Sequence, residues 1–470
     1  MLTGMLRAGM RCAICFSALL IWSLPSQALI AFPGAEGFGA NAIGGRYGDV
    51  YHVTSLADTY VPGTLRYGVY SAPSAGRTIV FDISGTINMA QYLSIARDKV
   101  TIAGQTAPGD GITMAGYGVY IDANDVILRD MRFRLGTANN QEADTLGINN
   151  GSNIIVDHCS ASWSVDETLS VAGTARNVTV QWTTISESLD HSIHSKGAHG
   201  YGSLIRPDVD ASYTFHHNLY AHNRSRNPRP GTYNGKLLQF DFRNNVVYDW
   251  GQAGYGAYDG EYVNMNYVGN YLVAGQSTKP ENLGDAFAGG SVDTHIYQSG
   301  NMIDSDRDGN HDGVDTGWGM ITDTYTKVLS PYNYASVATD TADVAYTRVL
   351  GDVGARPWAR DPVDLRIIND VKNETGHVID ATSEVGGFPT LASILRPTDF
   401  DTDLDGMPNF WETLYGTNPS LADNSGDRDG DGYTNLEAYL AYAAVPEPVT
   451  MSLLILGGTM LLRRRNSRQI

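Results

Sequence analysis

Basic residues, cysteine and long apolar runs are all scarce in this sequence. Lys and Arg number 32 against 51 Asp and Glu, a formal charge of −19 over 470 residues. Nucleic-acid binders carry a basic footprint, so that class of partner is excluded. The same charge repels a polyanion at long range, so an acidic ligand must be held by a local cationic patch or a metal ion. Only three cysteines occur. Cys12 and Cys15 fall in an N-terminal segment with the marks of a secretory signal: Arg7 and Arg11, an apolar run over 12–22, then Pro25-Ser-Gln-Ala28 with small residues suited to cleavage. Its removal leaves Cys159 alone, which excludes an intramolecular disulfide. The setting Ile154-Ile-Val-Asp-His-Cys159 predicts a small buried side chain in a strand rather than a catalytic thiol. A second apolar run, over 449–462, is about 14 residues, short of the ~20 a membrane span needs.

What is abundant points to β-structure. There are 52 Gly, and Tyr outnumbers Phe by 27 to 12. Gly-rich turns alternating with Tyr, Val, Ile and Thr runs favour an all-β chain. From Val100 onward such runs recur: Val100-Thr-Ile-Ala, Val126-Ile-Leu-Arg, Ile154-Ile-Val-Asp, Val178-Thr-Val-Gln, Tyr213-Thr-Phe-His, Leu238-Gln-Phe-Asp-Phe242 and Val263-Asn-Met-Asn. Most start-to-start intervals are about 24–28 residues, and one is about 35. With no long amphipathic helix between them, the runs predict stacked coils of a right-handed parallel β-helix, longer than one compact core. Asn218, Asn245, Asn270 and Asn301 each precede an apolar pair. In stacked coils their amides form a ladder that satisfies backbone groups. The competing reading is a sandwich with unrelated turns.

The stretch 144–230 places carboxylates first and cations last. Asp144 and Asp166, roughly 22 residues apart, fall on consecutive coils, and neighbouring strands lie about 4.8 Å apart. They are therefore candidates to share one Ca²⁺, with Glu167 as a third ligand. Such an ion neutralises a uronate carboxylate as a Lewis acid, which is what removal of the adjacent C5 proton requires. The base is less obvious. Arginine is ordinarily protonated, so Arg226 serves only where neighbouring cations and poor solvation oppose its charge. Arg224, Arg229 and Lys196 are the residues expected to crowd it. A guanidinium that merely clamps a carboxylate is the alternative. His216 and His217 offer conventional bases, one of them structural if strand alternation holds.

His216-His-Asn-Leu-Tyr220 followed by Arg226-Asn-Pro-Arg229 closely resembles the signature of pectate lyases of polysaccharide lyase family 1. Ala143-Asp-Thr-Leu146, Ile155-Val-Asp-His158, Val178-Thr-Val-Gln181 and Glu187-Ser-Leu189 resemble further strands of that family, so the likeness spans most of 31–278. It implies a parallel β-helix that cleaves polygalacturonate by calcium-assisted β-elimination. It implies Arg226 as the base at C5, Arg229 and Lys196 as substrate binders (Arg224 joins them as a candidate), and Asp144 and Asp166 as calcium ligands. Many members carry a second acid where this chain has Ser170, a departure that weakens the site unless Glu167 compensates. A lyase for methylated pectin or another uronan is a rival within the class; Lys196 and Arg229 favour the free acid. A glycoside hydrolase would need flanking carboxylates, for which Asp157, Asp166 and Glu187 are available. A non-catalytic surface β-helix binding acidic polysaccharide is the rival of a different class.

Beyond the solenoid, Asp401, Asp403, Asp405, Gly406, Asn409 and Glu412 occupy positions 1, 3, 5, 6, 9 and 12 of an EF-hand-type calcium loop. Asp427, Asp429, Asp431, Asn435 and Glu437 form a second such loop, with the last Glu one position early. The pair resembles the tandem calcium repeats of dockerin and thrombospondin type 3 modules; a flexible acidic linker is the plain alternative. A third loop, Asp304, Asp306, Asp308, Gly309, Asp312 and Asp315, reads equally as a metal site or a solvated turn. Pro446-Glu-Pro448, the short apolar run and Arg463-Arg-Arg465 resemble the PEP-CTERM sorting signal of Gram-negative exopolysaccharide producers. That resemblance implies export to the cell surface, processing by an exosortase-type protease, and membrane contact only through the tail before processing; a plain membrane anchor is the competing reading. The expected division is a signal peptide over 1–28, a β-helix domain with an extension over 29–395, calcium repeats over 396–442 and a sorting segment over 443–470.

Overall fold

The computed structural model describes residues 29–252 and 254–444. The predicted secretory signal over 1–28 and all but the first two residues of the predicted sorting segment lie outside them. Among the described residues no helix is long and apolar enough to cross a membrane.

Three parallel sheets form the solenoid, with eleven, nine and six strands, the six-stranded one confined to its middle coils. Each strand pairs with its counterpart one coil on, always in parallel. The predicted runs fall in the long sheet and in register. Val100, Val126, Ile154, Val178, Tyr213, Phe240, Met265 and Ile296 are partners in succession. All of them are buried. Side chains alternate across a strand, so each coil contributes one or two β-branched or aromatic residues to a continuous inner stack. No coil could bury its apolar face alone.

The asparagine ladder is present. The amide oxygens of Asn245, Asn270 and Asn301 each accept from the backbone N–H of the Asn one coil earlier, at 3.0, 3.0 and 2.9 Å. Each side-chain N–H₂ donates to a carbonyl, Asn218 to Val180 at 2.9 Å and Asn245 to Phe215 at 3.0 Å. Thr183 and Cys159 continue the same column toward the N-terminus. Cys159 is fully buried beside the carbonyls of Asp157 and Leu128, and burial pushes its thiol well above the usual range. It is structural, as the sequence suggests.

Two coverings dress the outside. Residues 31–45 cross the outer face of the long sheet, where Gly39 donates to Thr179 Oγ1 at 2.8 Å. A Cβ at Gly39 would lie 2.2 Å from the Ile154 carbonyl oxygen, so only glycine fits this approach. The helices Ala342–Asp352 and Pro362–Asn373, which the sequence reading does not foresee, pack Val349, Ile367 and Val371 against Leu219, Val246 and Tyr248 of the nine-stranded sheet. The segment predicted to carry calcium repeats folds against the first coils through Met407, Trp411, Leu436 and Tyr439 on Ala103 and Val50.

Candidate active site

The six-stranded sheet positions the predicted acids. Asp144 precedes the strand Leu146–Asn150, and Glu167 precedes Leu169–Gly173 on the next coil. Thr145 N–H donates to the Glu167 carbonyl at 3.1 Å, locking the two turns together. Glu167 then bridges to Tyr201 and Tyr201 to Ser225, each one coil further. Four successive turns thus stack Asp144, Glu167, Tyr201 and Arg226 along one edge. Carboxylate oxygens of Asp144, Asp166 and Glu167 lie within 4.8 Å of one another, so the predicted trio is brought together. Asp144 Oδ1 accepts the Glu167 N–H at 3.1 Å, and Oδ2 accepts the Ser170 hydroxyl. Ser170, the departure noted above, therefore aims Asp144 instead of adding a ligand. Burial pushes the Asp144 carboxyl up to about 7, reinforced by Asp166 and opposed by Ser170 and Arg226.

Arg226 faces this cluster. Its Nη1 meets Glu167 Oε1, Nε donates to the Tyr255 hydroxyl at 3.3 Å, and the guanidinium lies 4.0 Å from the centroid of the Tyr201 ring. The residue holds a left-handed backbone, φ 59°, before the cis Asn227–Pro228 peptide. The expected crowding by cations does not occur. Arg224 pairs with Asp190 at 3.0 Å. Arg229 is buried, 3% exposed, and pairs with Glu261 at 2.9 Å, as does Arg206. Arg224 and Arg229 are thus each held by a carboxylate, and Arg229 shares its own with Arg206. Arg229 is consequently not presented to solvent as a substrate binder. Lys196 is exposed on the loop beside the stacked rings of His194 and His199, whose centroids are 3.7 Å apart. His199 Nε2 lies 2.9 Å from Asp166 Oδ1. Tyr201, Tyr255 and His199 are site residues that the sequence reading does not point to, and His194 stands out there only as part of the His194-Ser-Lys-Gly197 segment around Lys196. Of the first three, only Tyr201 had a signal, its place one coil after Glu167.

The remaining sequence candidates are accounted for by packing. His216 and His217 are both buried, 2.8 Å apart through Nδ1, with His216 on Gln181 and His217 stacked on Trp182. Burial lowers both, His217 to about 4. Neither adjoins Arg226. Asp157 is consumed by Arg129, His158 and Gln181, and Glu187 by Arg366 and Trp163. Two of the three carboxylates available to a hydrolase reading are thus tied into buried contacts.

Comparison with known proteins gives the family. The pectate lyase family pattern matches residues 11–268. "Probable pectate lyase C" of Aspergillus flavus is 39% identical over 431 residues, covering 90% of this chain and 95% of its own. The protein of the same name in Emericella nidulans is 39% identical over 439 residues, covering 92% and 96%. The chain belongs to the pectate lyase family. It is accordingly a polysaccharide lyase-type enzyme, not merely a binding solenoid. The crystal structure of jun a 1, the major allergen from cedar pollen, shares the fold with a TM-score of 0.51 at 17% identity, over 68% of this chain and 92% of that one.

Outside the pectate lyase core, the first of the two predicted calcium loops gathers its acids. Carboxylate oxygens of Asp401, Asp403 and Asp405 lie within 4.8 Å of one another. Asp401 takes the N–H groups of Leu404 and Gly406, both at 2.8 Å. Glu412 is fully buried, and both its oxygens and both oxygens of Asp403 have no hydrogen-bond partner. Burial and mutual repulsion push Glu412 up to about 8 and Asp405 to about 7. Asn409 turns aside to Thr402 and the Asp399 carbonyl. In the second loop Asp427 repeats the backbone pattern of Asp401, accepting from Gly430 and Gly432, while Asp429 and Asp431 each accept a backbone N–H two residues on. Its Asn435, however, holds Arg428 N–H and the Asp423 carbonyl. Glu437 closes a capping box on Thr434 and pairs with Arg46 at 2.7 Å. Asn409, Asn435 and Glu437, predicted as ligands, are engaged in loop closure and helix capping in this structure.

Proposed function

We propose that the chain cleaves polygalacturonate by calcium-assisted β-elimination, with Arg226 abstracting the C5 proton. The observation that carries this reading is the meeting of Asp144, Asp166 and Glu167 with one guanidinium on successive turns. Three mutually repelling carboxylates, one held half-buried with its carboxyl at about 7, fit a hard divalent cation with oxygen ligands. Asp144, Asp166 and Glu167 would hold it. Bound there, calcium neutralises the charge that builds on the substrate carboxylate as C5 is deprotonated.

The protein's own residues do the rest. Tyr201 and Tyr255 fix the plane and direction of Arg226. Glu167 is shared, since its carboxylate faces Arg226 and also belongs to the cation-binding trio. With Glu167 committed to a cation in the trio, Arg226 would lose the carboxylate that favours its protonated form, and the ion would supply the opposing positive charge that Arg224 and Arg229, each paired with an acid, do not. Lys196 and the half-exposed Arg224 would receive neighbouring uronate carboxylates, which favours the free acid over the methyl ester. Arg229 holds Glu261 behind the Arg226 turn as a positioning residue. The test is the near-ultraviolet absorbance of a 4,5-unsaturated product from polygalacturonate, with and without chelator. Absorbance lost on chelation is expected. Reducing ends without absorbance would mean hydrolysis, and neither signal on any uronan would leave a binding module.

Calcium should also compete with protons. Asp144 must be ionised to serve, so its apparent calcium affinity is expected to be full above about pH 7. Below that it should fall by up to about tenfold per pH unit as a proton must be displaced. Calcium titrations of activity on either side of pH 7 check this, and an unchanged half-saturation point would contradict it.

The reading extends to the appendages. Asp401, Asp403, Asp405 and Glu412 would bind a second calcium ion, in keeping with the dockerin-like resemblance. Residues 1–28 would direct secretion, and 443–470 would be handled by exosortase-type machinery. Both relatives named above are fungal, so the bacterial resemblance of the tail rests on its own residues alone.

A further inference from the structure

The loop after the strand Met302–Asp304 has the spacing of an EF-hand but not its arrangement. Asp308, at position 5, accepts the Asn310 backbone N–H at 2.8 Å and the Asn310 amide at 3.0 Å. Asp315, at position 12, accepts the Gly317 N–H at 2.7 Å. Both are spent on local turns. Asp304, Asp306 and Asp312 instead converge, with carboxylate oxygens within 4.8 Å of one another. Asp304 is only 3% exposed, and its Oδ2 has no hydrogen-bond partner.

A fourth acid arrives from a distant element. Glu374 caps the C-terminal end of the helix Pro362–Asn373 and reaches into this loop, where its Oε2 accepts the Gly309 N–H at 3.0 Å. It is 5% exposed, and its Oε1 has no hydrogen-bond partner. Each feature of this residue is unfavourable in isolation. Its backbone is left-handed, φ 52° and ψ 42°, at a cap position that ordinarily takes glycine. Its charge sits at the negative end of a helix. Its carboxylate is buried beside Asp304, whose carboxyl is pushed up to about 6 by burial and by Glu374 and Asp306. The nearby cations do not neutralise it. Arg307 donates to the Gly275 carbonyl, and His311 donates to the Val371 carbonyl while lying 3.8 Å from Glu374. Buried charges are found paired or on metals, and three convergent carboxylates with a fourth buried beside Asp304, next to an exposed loop, suit a hard cation with water in its shell.

We propose that Asp304, Asp306, Asp312 and Glu374 form a calcium site that fastens the outer helix to the last coils of the solenoid. This site is separate from the candidate active site and does not depend on the catalytic reading. Equilibrium dialysis of the chelated full chain against calcium tests it. Glu374→Gln and the exposed Asp306→Asn are each expected to bind one ion fewer than wild type, whereas Asp166→Asn keeps this ion. In chelator Glu374→Gln should melt above wild type, because a buried repulsion is gone, and it should gain less on adding calcium. Lyase activity of Glu374→Gln at saturating calcium should match wild type. Wild-type stoichiometry and affinity in both variants would overturn the proposal, as would a lower melting point of Glu374→Gln in chelator. If Glu374→Gln does not fold, the ion count of Asp306→Asn decides alone.

Discussion

Arg226→Ala is expected to lower formation of unsaturated product from polygalacturonate by about 10³-fold, within the range of a general base removed from its substrate. The loss should appear in kcat with little change in KM, since proton abstraction belongs to the transition state. The guanidinium is held from three sides, by Glu167, by the Tyr255 hydroxyl and by the Tyr201 ring. Arg226→Lys keeps the positive charge but loses the planar fork and its contact with the ring, so it should recover only a small part of the rate. Lys196→Ala provides the contrast. An exposed ammonium that binds substrate carboxylate should raise KM and leave kcat close to wild type. Arg226→Ala within tenfold of wild type would remove the arginine from the chemistry and reopen the question of the base. A rise in KM alone would make Arg226 a carboxylate clamp.

The fold was legible because its signal repeats. Val100, Val126, Ile154 and Val178 occupy one column of the long sheet, and a pattern stated once per coil is read many times over. The asparagine column was visible for the same reason: one amide per coil, always before an apolar pair. The acids were legible for a related cause, since a separation of one coil translates directly into proximity. The failures share a different physics. The partners of Arg224 and Arg229 are Asp190 and Glu261, set by loops whose lengths vary, so a sequence showing clustered cations gave no warning that each had its own anion. His216 and His217 resemble bases in composition, but the left-handed turn at His217 ends the strand and stacks its ring on Trp182. Strand alternation no longer applies there. Glu437 fails for the opposite reason: a capping box uses the same Glu at the same helix start as a calcium loop does, and sequence spacing alone does not separate them.

Asp364→Asn is expected to destabilise the protein by about 3–5 kcal/mol, the cost of leaving a buried charge without its partner. Arg132 and Arg134 enter the nine-stranded sheet with no solvent exposure at all. Facing them are Asp361 and Asp364 at the start of the helix Pro362–Asn373. Arg134 Nη2 lies 2.6 Å from Asp364 and 3.4 Å from Asp361, while Arg132 Nε is 3.7 Å from each. Asp364 also accepts the Ser160 hydroxyl at 2.7 Å, and Arg134 donates to Ser162 at 2.9 Å. Two cations and two anions balance, and the substitution leaves one guanidinium uncompensated in the driest part of the molecule. Asp361 adds a pH signature. Burial raises its carboxyl, but Arg134 and Arg132 outweigh that and hold it below the ordinary value. A depressed carboxyl contributes stability that is present above the unfolded value of about 4 and lost as the pH falls through the folded value, so the wild type should weaken in acid. Denaturant unfolding above neutral pH, read as a midpoint shift at constant slope, measures the cost of Asp364→Asn. A loss under about 1 kcal/mol, the scale of an exposed ion pair, would mean that the helix does not depend on this quartet to stay on the sheet.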